Sequence, residues 1–211
     1  MTEYNGTKGG KVRNYSEDPD NPYVGQVWYN ENLGDLRIRK TNIGSAWATG
    51  GPLNTARFKL AGVGTQTAGL SFGGFSTTAV NTSEEYDGST WTAGNPLNTA
   101  RSGLGGSGTQ TAGLAAGSPN ATEEYDGTSW TSVNNTTDAL SERNMFGVQT
   151  SSVLIGGTPP VGTEAEQYDG TSWTGITSFS TARQRAGAAG VSNSDGIIYG
   201  GLTAPGPATN T

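Results

Sequence analysis

Short apolar runs alternate along this chain with clusters of Gly, Asn, Asp, Ser and Thr, and the spacing of the apolar positions is not helical. The clearest pattern, Glu84 to Trp91, is repeated at Glu123 to Trp130 and, with changes, at Glu166 to Trp173. In each copy a Tyr and a Trp bracket four small polar residues, a length that suits a tight β-hairpin whose central pair begins with Gly. The pattern predicts that Tyr86 and Trp91 lie opposite each other and fix the register of the hairpin.

The tryptophans indicate the period of the repeat, because Trp47, Trp91, Trp130 and Trp173 are 44, 39 and 43 residues apart. Each period holds four strand-like segments, which predicts an all-β chain of four-stranded antiparallel repeats, the size of a propeller blade. We assign the end of one of these strands to the double glycines and their variant: Gly73-Gly74, Gly156-Gly157, Gly200-Gly201 and Ala116-Gly117. The predicted repeat core consists of Trp47, Tyr86, Trp91, Tyr125, Trp130, Tyr168 and Trp173.

The residues before the repeats have a different composition and predict two further segments. Residues 1–22 are polar and include the turn formers Asp18 to Pro22, so they predict an extended N-terminal arm without a core. Residues 23–44 predict a small β-meander with strands at Val24–Asn30 and Asp35–Lys40, and with Leu36 and Ile38 on one face. The predicted organisation is therefore an arm (1–22), a meander (23–44) and a repeat region (45–211).

Composition excludes several kinds of chemistry. The chain has no Cys and no His, which removes disulfides together with the commonest metal ligand and the commonest general base. Its formal net charge is -6, and the excess of acidic residues lies in residues 45–211, so we expect no binding to nucleic acid. No basic amphipathic stretch, secretory signal or membrane-spanning run is present, which predicts a product made in the cytosol with no membrane partner.

The repeated carboxylates Glu84, Glu85 and Asp87 are the strongest candidates for catalysis, but successive residues on a strand point to opposite faces. Because the same group recurs in every repeat, we interpret it as structural and Asp87 as a turn former. No catalytic residue, metal site or cofactor is predicted. One arginine also recurs in each repeat: Arg57, Arg101, Arg143 and Arg183. A ring of Arg could bind acidic sugars or phosphates, but the favoured interpretation is a bond to backbone carbonyls or to a neighbouring repeat's carboxylate.

The order of a double glycine, Tyr-Asp, a Trp about five residues later and then an Arg resembles the kelch repeat of β-propellers. The sequence motifs Leu-Asn-Thr-Ala-Arg and Glu-Glu-Tyr-Asp-Gly-Thr-Ser-Trp are similar to kelch-like repeats in virion proteins of tailed bacteriophages. Residues 22–30, Pro-Tyr-Val-Gly-Gln-Val-Trp-Tyr-Asn, are similar to a module near the front of phage tail and fibre proteins.

This resemblance implies a non-enzymatic structural component of a bacteriophage virion, a tail or capsid fibre made in the host cytoplasm. Its N-terminus would attach to other virion proteins, and its repeats would present loops to a host surface glycan or protein. The resemblance further implies a homo-oligomer, with a trimer common among phage fibres. The candidate anchoring residues are Tyr4, Lys8, Lys11, Arg13 and Tyr15, and the candidate loops are Phe75 to Asn81, Ser118 to Ala121 and Thr158 to Thr163.

Two questions stay open at this point. The Tyr-Asp strand occurs three times but the double-glycine and Trp strands occur four times. Either a final strand near Gly196 to Tyr199 completes a blade begun at Leu36 to Ile38, or the repeats belong to a longer chain or to an assembly of several chains. For function, the alternative is a soluble carbohydrate- or protein-binding kelch module. The copper oxidase among kelch proteins is excluded because its Cys and His ligands have no counterpart.

Overall fold

The structure is a computed structural model, and it describes residues 13–19, 27–38, 49–203 and 206–207. All regular secondary structure within these ranges is β-strand. One pair of strands is parallel, and the other pairs are antiparallel. The chain divides into two compact units, Met1–Thr49 and Gly50–Thr211. The prediction of an all-β chain is confirmed, and the two units are described separately below.

The first unit contains a three-stranded sheet in the order β1-β2-β3. Its strands are β1 (Arg13–Tyr15), β2 (Val27–Asn30) and β3 (Asp35–Ile38). The β2–β3 hairpin is antiparallel with its turn at residues 31–34, as predicted. Strand β1 was not predicted, because it lies in the polar segment that we interpreted as an arm, and it pairs with β2 in parallel. The predicted third strand near Trp47 lies outside the described residues.

Asp18 explains how this polar segment is ordered. Its Oδ1 atom accepts hydrogen bonds from Trp28 Nε1 at 3.0 Å and from Asn30 Nδ2 at 2.8 Å. Trp28 and Asn30 are buried on one face of β2, because alternate residues of a strand point to the same side. These two hydrogen bonds lower the pKa of Asp18, so the charged carboxylate connects the segment to the sheet.

The second unit contains three complete four-stranded antiparallel sheets, each with its strands in chain order. Sheet 1 consists of β4 (Ala61–Thr65), β5 (Ala68–Phe72), β6 (Ser83–Tyr86) and β7 (Trp91–Gly94). Sheet 2 consists of β8 (Gly105–Thr109), β9 (Ala112–Ala116), β10 (Thr122–Tyr125) and β11 (Trp130–Val133). Sheet 3 consists of β12 (Asn144–Val148), β13 (Ser151–Ile155), β14 (Ala165–Tyr168) and β15 (Trp173–Ile176). The prediction of four strands in each repeat is confirmed for these three.

A two-stranded sheet follows, here called hairpin 4, with β16 (Gly187–Ser192) and β17 (Asp195–Tyr199). A short pair, β18 (Leu202–Thr203) and β19 (Gly206–Pro207), comes after it. Strand β17 pairs with β16, and β3 pairs with β2, so the blade that would join β17 and β3 stays a prediction. Within the second unit, the described strands form separate sheets, with no strand shared between the first sheet and the last.

The sheets pack face to face, with the first strands β4, β8, β12 and β16 each in contact with the next. Within sheet 1, alternation places Tyr86 and Trp91 on one face, here called the Tyr/Trp face. Leu70 and Phe72 lie on the opposite face, here called the Leu face, and the same two faces recur in the later sheets. The Leu face of one sheet packs against the Tyr/Trp face of the next, as in the contact between the Phe72 and Trp130 rings, whose centroids are 4.8 Å apart.

The strand registers correct our assignment of the variant double glycine. Phe72 and Ala116 occupy the same position, because Phe72 pairs with Ser83 and Ala116 with Thr122 at the start of the next strand. The counterpart of Gly73-Gly74 is therefore Gly117-Ser118 and not Ala116-Gly117. Ser118 adopts a φ of 64°, the left-handed conformation that favours glycine, and the backbone at this position explains why most repeats place Gly there.

Candidate functional site

The repeated aromatic pairs are built identically. The rings of Tyr86 and Trp91 have centroids 5.0 Å apart, and the distance is 4.9 Å for Tyr125/Trp130 and 5.0 Å for Tyr168/Trp173. In each copy the two residues lie directly opposite each other, as predicted. Four of them, Tyr125, Trp130, Tyr168 and Trp173, are buried, whereas Tyr86 and Trp91 are half-buried. Trp47, the remaining residue of the predicted core, lies outside the described residues.

The aspartate of the motif forms the turn, as predicted. Asp87 Oδ1 accepts hydrogen bonds from the backbone N–H groups of Thr90 and Ser89, each at 2.8 Å. These bonds lower the pKa of Asp87, and the same arrangement lowers the pKa of Asp126 and of Asp169. The three carboxylates act as turn caps.

The two glutamates of the motif point to opposite faces, as predicted, and have different partners. Glu84 is buried within its own sheet, whereas Glu85 accepts a hydrogen bond from the Tyr125 hydroxyl of sheet 2. Glu124 accepts the corresponding bond from Tyr168 of sheet 3, at 2.9 Å. Burial and these hydrogen bonds raise the pKa of both tyrosines. The second glutamate thus connects neighbouring sheets.

The first glutamate forms a buried ion pair with the repeated arginine. Arg57 pairs with Glu84, Arg101 with Glu123 and Arg143 with Glu166, and at most 3% of any of these side chains is exposed. Each pair lies within one repeat, so the neighbouring-repeat partner that we considered is wrong. Arg101 also donates to the backbone carbonyls of Gly117 and Ala121, as the other part of that interpretation predicted. Burial lowers the pKa of Arg101 to about 10 against the attraction of Glu123.

The same carboxylate holds the loop that enters the sheet. Glu84 accepts hydrogen bonds from the backbone N–H groups of Asn54 at 2.6 Å and Thr55 at 3.4 Å. Glu123 binds Asn98 and Thr99 in the same way. Burial alone would raise the pKa of Glu84, but the bonds from Arg57 and Asn54 outweigh it and lower the pKa. An ionised carboxylate with its oxygens occupied in this way is a structural group and not a general acid or nucleophile.

Arg143 reaches its carboxylate from a different position in the repeat. The positive-φ residues Lys59, Gly103 and Glu142 are equivalent, because each lies two residues before its sheet's first strand. Arg57 and Arg101 precede this position by two residues, but Arg143 follows it directly. The sequence did not reveal this change of position, because the spacing between the arginines is nearly regular along the chain. Arg183 binds the carbonyl of Gly200 at 2.6 Å, the counterpart of the bond from Arg101 to Gly117.

Besides the repeated motif, the structure shows a second candidate region, a row of residues with positive φ, which was not predicted from the sequence. Four residues with φ between 53° and 71° form a row across the repeats: Lys59, Gly103, Glu142 and Arg185. Backbone N–H groups connect them, since Gly103 donates to Lys59 O, Glu142 to Gly103 O and Arg185 to Glu142 O. Their spacing equals that of the tryptophans, which is the signal that could have revealed them. Their side chains differ, so no motif marks the row.

Three side chains of this row, those of Lys59, Glu142 and Arg185, form a charged cluster at the edge of a cleft of about 280 Å³. Glu142 accepts two hydrogen bonds from Arg185, at 2.6 and 2.8 Å, and pairs with Lys59 Nζ at 2.6 Å. The bonds from Arg185 are the main reason that the pKa of Glu142 is lowered. Leu60, Leu104 and Asn144 also line the cleft. The cluster brings two cations to one carboxylate at the end of the sheets that also carries the loops after β5, β9 and β13.

Within the described part of the chain, no group of three or more Asp or Glu side chains could hold a metal ion. No helix in that part is long and apolar enough to cross a membrane. Of the candidate anchoring residues, Arg13 and Tyr15 lie on β1, and Tyr4, Lys8 and Lys11 are outside the described ranges. Comparisons with protein-family models and with curated proteins found no match.

Proposed function

We propose that this protein is a non-enzymatic structural component of a bacteriophage virion, a tail or capsid fibre whose repeated sheets support loops directed toward the host. The observation that carries the structural part is that the repeated charged residues are buried in ion pairs and hydrogen bonds that hold the fold. Glu84, Glu123 and Glu166 are each buried against an arginine and a loop backbone. The virion part rests on the resemblance of the repeats and of residues 22–30 to phage virion proteins.

The packing of the sheets supports a kelch-like, propeller-type arrangement in this proposal. The first strands β4, β8, β12 and β16 follow one another, so each sheet adds to the last through its innermost strand. Blades of a propeller are arranged radially in this way. Equivalent hydrogen bonds occur at successive interfaces, since Gln110 Nε2 donates to Tyr86 O at 2.9 Å and Gln149 Nε2 to Tyr125 O at 2.8 Å.

The loops that we propose for host contact share one end of the sheets. They connect the second and third strands of sheets 1, 2 and 3, and they differ from one another in length and sequence. Their bases are hydrogen-bonded to the next repeat, as in the bonds from Gly74 N to Arg101 O and from Gly157 N to Arg183 O, both 2.9 Å. Thr77, Thr78, Pro119, Pro159 and Pro160 are exposed. Fixed bases with exposed, variable tips are typical of recognition loops on a rigid scaffold.

The first unit supports an anchoring role. Val27, Tyr29 and Leu36 share one face of its sheet and are 37%, 36% and 65% exposed. An exposed apolar sheet face is typical of a surface that binds another protein. In the proposed virion the partner is another tail or capsid protein, and several copies of the chain would add their weak host contacts to give avidity.

The test is the position of the protein in purified phage particles that encode it. Mass spectrometry should find it in fixed stoichiometry with the major virion proteins, and cryo-electron microscopy should place residues 1–49 against the tail or capsid. Deletion of residues 1–49 should remove the repeats from the particle while leaving the particle assembled. Absence of the intact protein from purified particles would contradict the proposal.

The charged cleft favours a second candidate, a soluble carbohydrate- or protein-binding module. Lys59 and Arg185 are 41% and 53% exposed in their side chains, so an acidic sugar could reach them. Glycan-array binding that is lost in a Lys59→Ala/Arg185→Ala variant, but kept in an Arg37→Ala control, where the replaced side chain is 40% exposed, would favour this function. Lack of binding to acidic glycans would leave the virion role as the better explanation.

A further inference from the structure

We propose that sheet 1 and hairpin 4 carry the two complementary halves of a head-to-tail interface between copies of this chain. The inference does not depend on the proposed virion role, because it rests on the interface that the chain already uses between its own sheets. Among the sheets of the second unit that the structure describes, none covers the Tyr/Trp face of sheet 1 or the Leu face of hairpin 4.

Glycines mark where the Leu face inserts into the next sheet. A β-carbon added at Gly106 of sheet 2 would lie 2.8 Å from the Phe72 ring, and one added at Gly113 would lie 3.0 Å from Leu70 Cδ2. These glycines therefore leave room for Phe72 and Leu70 of the preceding sheet. The absence of a side chain at these positions is required by close packing.

The equivalent glycines of sheet 1 receive nothing from another sheet within the described residues. Gly62 and Gly69 occupy the positions of Gly106 and Gly113 in the strand registers. A β-carbon at Gly62 would have only Leu70 O within 4 Å, at 3.7 Å, and the three atoms nearest to one at Gly69 all belong to sheet 1. Trp91 borders a cleft of about 440 Å³ on this face. The face of sheet 1 thus has an open space, and in sheet 2 the equivalent space is filled by Phe72 and Leu70 of the preceding sheet.

Hairpin 4 presents the groups that would fill this room. Tyr199 directly precedes Gly200, as Phe72 precedes Gly73, and Ile197 corresponds to Leu70. Ile197 and Tyr199 are 62% and 56% exposed, whereas Leu70 and Phe72 are 1% and 0% exposed. The opposite face of the hairpin, with Ala188 and Ile198, already packs against sheet 3. The exposed face therefore continues the series of Leu faces.

A second copy is the occupant that the structure favours, because the described residues of the second unit leave both halves open at the same time. In the complex, Ile197 and Tyr199 of one copy would lie over Gly69 and Gly62 of the other, with Tyr199 beside Trp91 as Phe72 lies beside Trp130. Gln66, at the position of Gln110 and Gln149, is exposed and would donate to the neighbouring copy's hairpin. Such an interface is heterologous, so repeated association gives a ring or a filament.

The test measures self-association of the full chain by sedimentation velocity over a range of concentrations. Wild type should associate reversibly, and either Gly62→Val or Ile197→Asp should weaken association by about tenfold or more. Gly106→Val is the matched comparison, since the same change should lower the melting temperature there because the Phe72 ring occupies the site. Gly62→Val should have the same melting temperature as wild type at a concentration where both are monomeric.

Mixing separates a head-to-tail interface from a symmetric one. Gly62→Val keeps the hairpin face and Ile197→Asp keeps the sheet 1 face, so an equimolar mixture should form one-to-one dimers and no larger species. A monomeric wild type, including one closed on itself, would overturn the proposal. It would also be overturned by variants that associate as wild type does, or by a mixture that stays monomeric. If Gly62→Val fails to fold, Trp91→Asp replaces it in the same mixture, because Trp91 borders the open cleft.

Discussion

Sheets 1 and 2 have closely similar sequences, yet their aromatic residues lie in different surroundings. Tyr86/Trp91 and Tyr125/Trp130 have the same cross-strand register, with interplanar angles of 36° and 34°. Trp130 is 5% exposed because sheet 1 covers it, whereas Trp91 is half-buried next to an open cleft. The comparison shows that the hairpin has the same geometry whether or not a neighbouring sheet covers it. We therefore expect the neighbouring sheet to decide how much the motif contributes to stability.

The buried ion pairs should contribute equally to stability in sheets 1 and 2, unlike the tryptophans. Arg57→Met and Arg101→Met should each destabilise the fold by about 3–5 kcal/mol, because either change leaves a buried carboxylate without its cation. The side chains of both arginines are at most 1% exposed, so the two costs should be similar. Urea unfolding followed by circular dichroism measures both. A much smaller cost in sheet 1 would show that its network is not buried in solution.

The tryptophans should separate the two sheets. Trp130→Ala should cost about 3–5 kcal/mol because it empties a packed interface, and Trp91→Ala about 1–2 kcal/mol because less of that ring is buried. Chemical unfolding at a concentration where the chain is monomeric gives both values. Equal costs would contradict the view that burial, and not the hairpin alone, sets the contribution of the motif.

The tyrosine hydroxyls provide a smaller contrast. Tyr125→Phe should cost about 1–2 kcal/mol because it removes a hydrogen bond to the carboxylate of Glu85. Tyr86→Phe should change stability by less than about 0.5 kcal/mol, since the Tyr86 hydroxyl has no hydrogen-bond partner in the part of the chain that is described. The thermal midpoints of the two variants, compared with wild type, test the difference. A larger loss for Tyr86→Phe would mean that its hydroxyl is bonded in solution.

Two buried tyrosines predict a dependence of stability on alkaline pH. The pKa of Tyr125 and Tyr168 is raised above the ordinary value of 10.0, by burial first and then by bonds to Glu85 and Glu124. The unfolded chain therefore releases these two protons at lower pH than the folded chain, so stability should fall as the pH rises above 10. The Tyr125→Phe/Tyr168→Phe variant should show a shallower fall between pH 10 and 11 in the same buffers. An unchanged slope would show that other groups cause the alkaline loss.

Local patterns in the sequence determined the repeated hairpins and the four strands of each repeat. Two-residue turns, cross-strand aromatic pairs and strand alternation act over a few residues, so Tyr86, Asp87 and Trp91 predict their own arrangement. The opposite orientation of Glu84 and Glu85 follows from the same alternation. The structural interpretation of the arginines was also within reach, although the partner carboxylate within the same repeat was not.

Only the tertiary structure decided which faces are covered and which distant residues meet. The exchange that brings Arg143 to Glu166, the row from Lys59 to Arg185, and the attachment of Asp18 to Trp28 depend on contacts between segments far apart in the chain. The same holds for Gly62 and Gly106, which are alike in sequence but differ in what lies above them. Burial and hydrogen bonding between distant segments depend on how the sheets pack, and local sequence patterns carry no direct record of that packing.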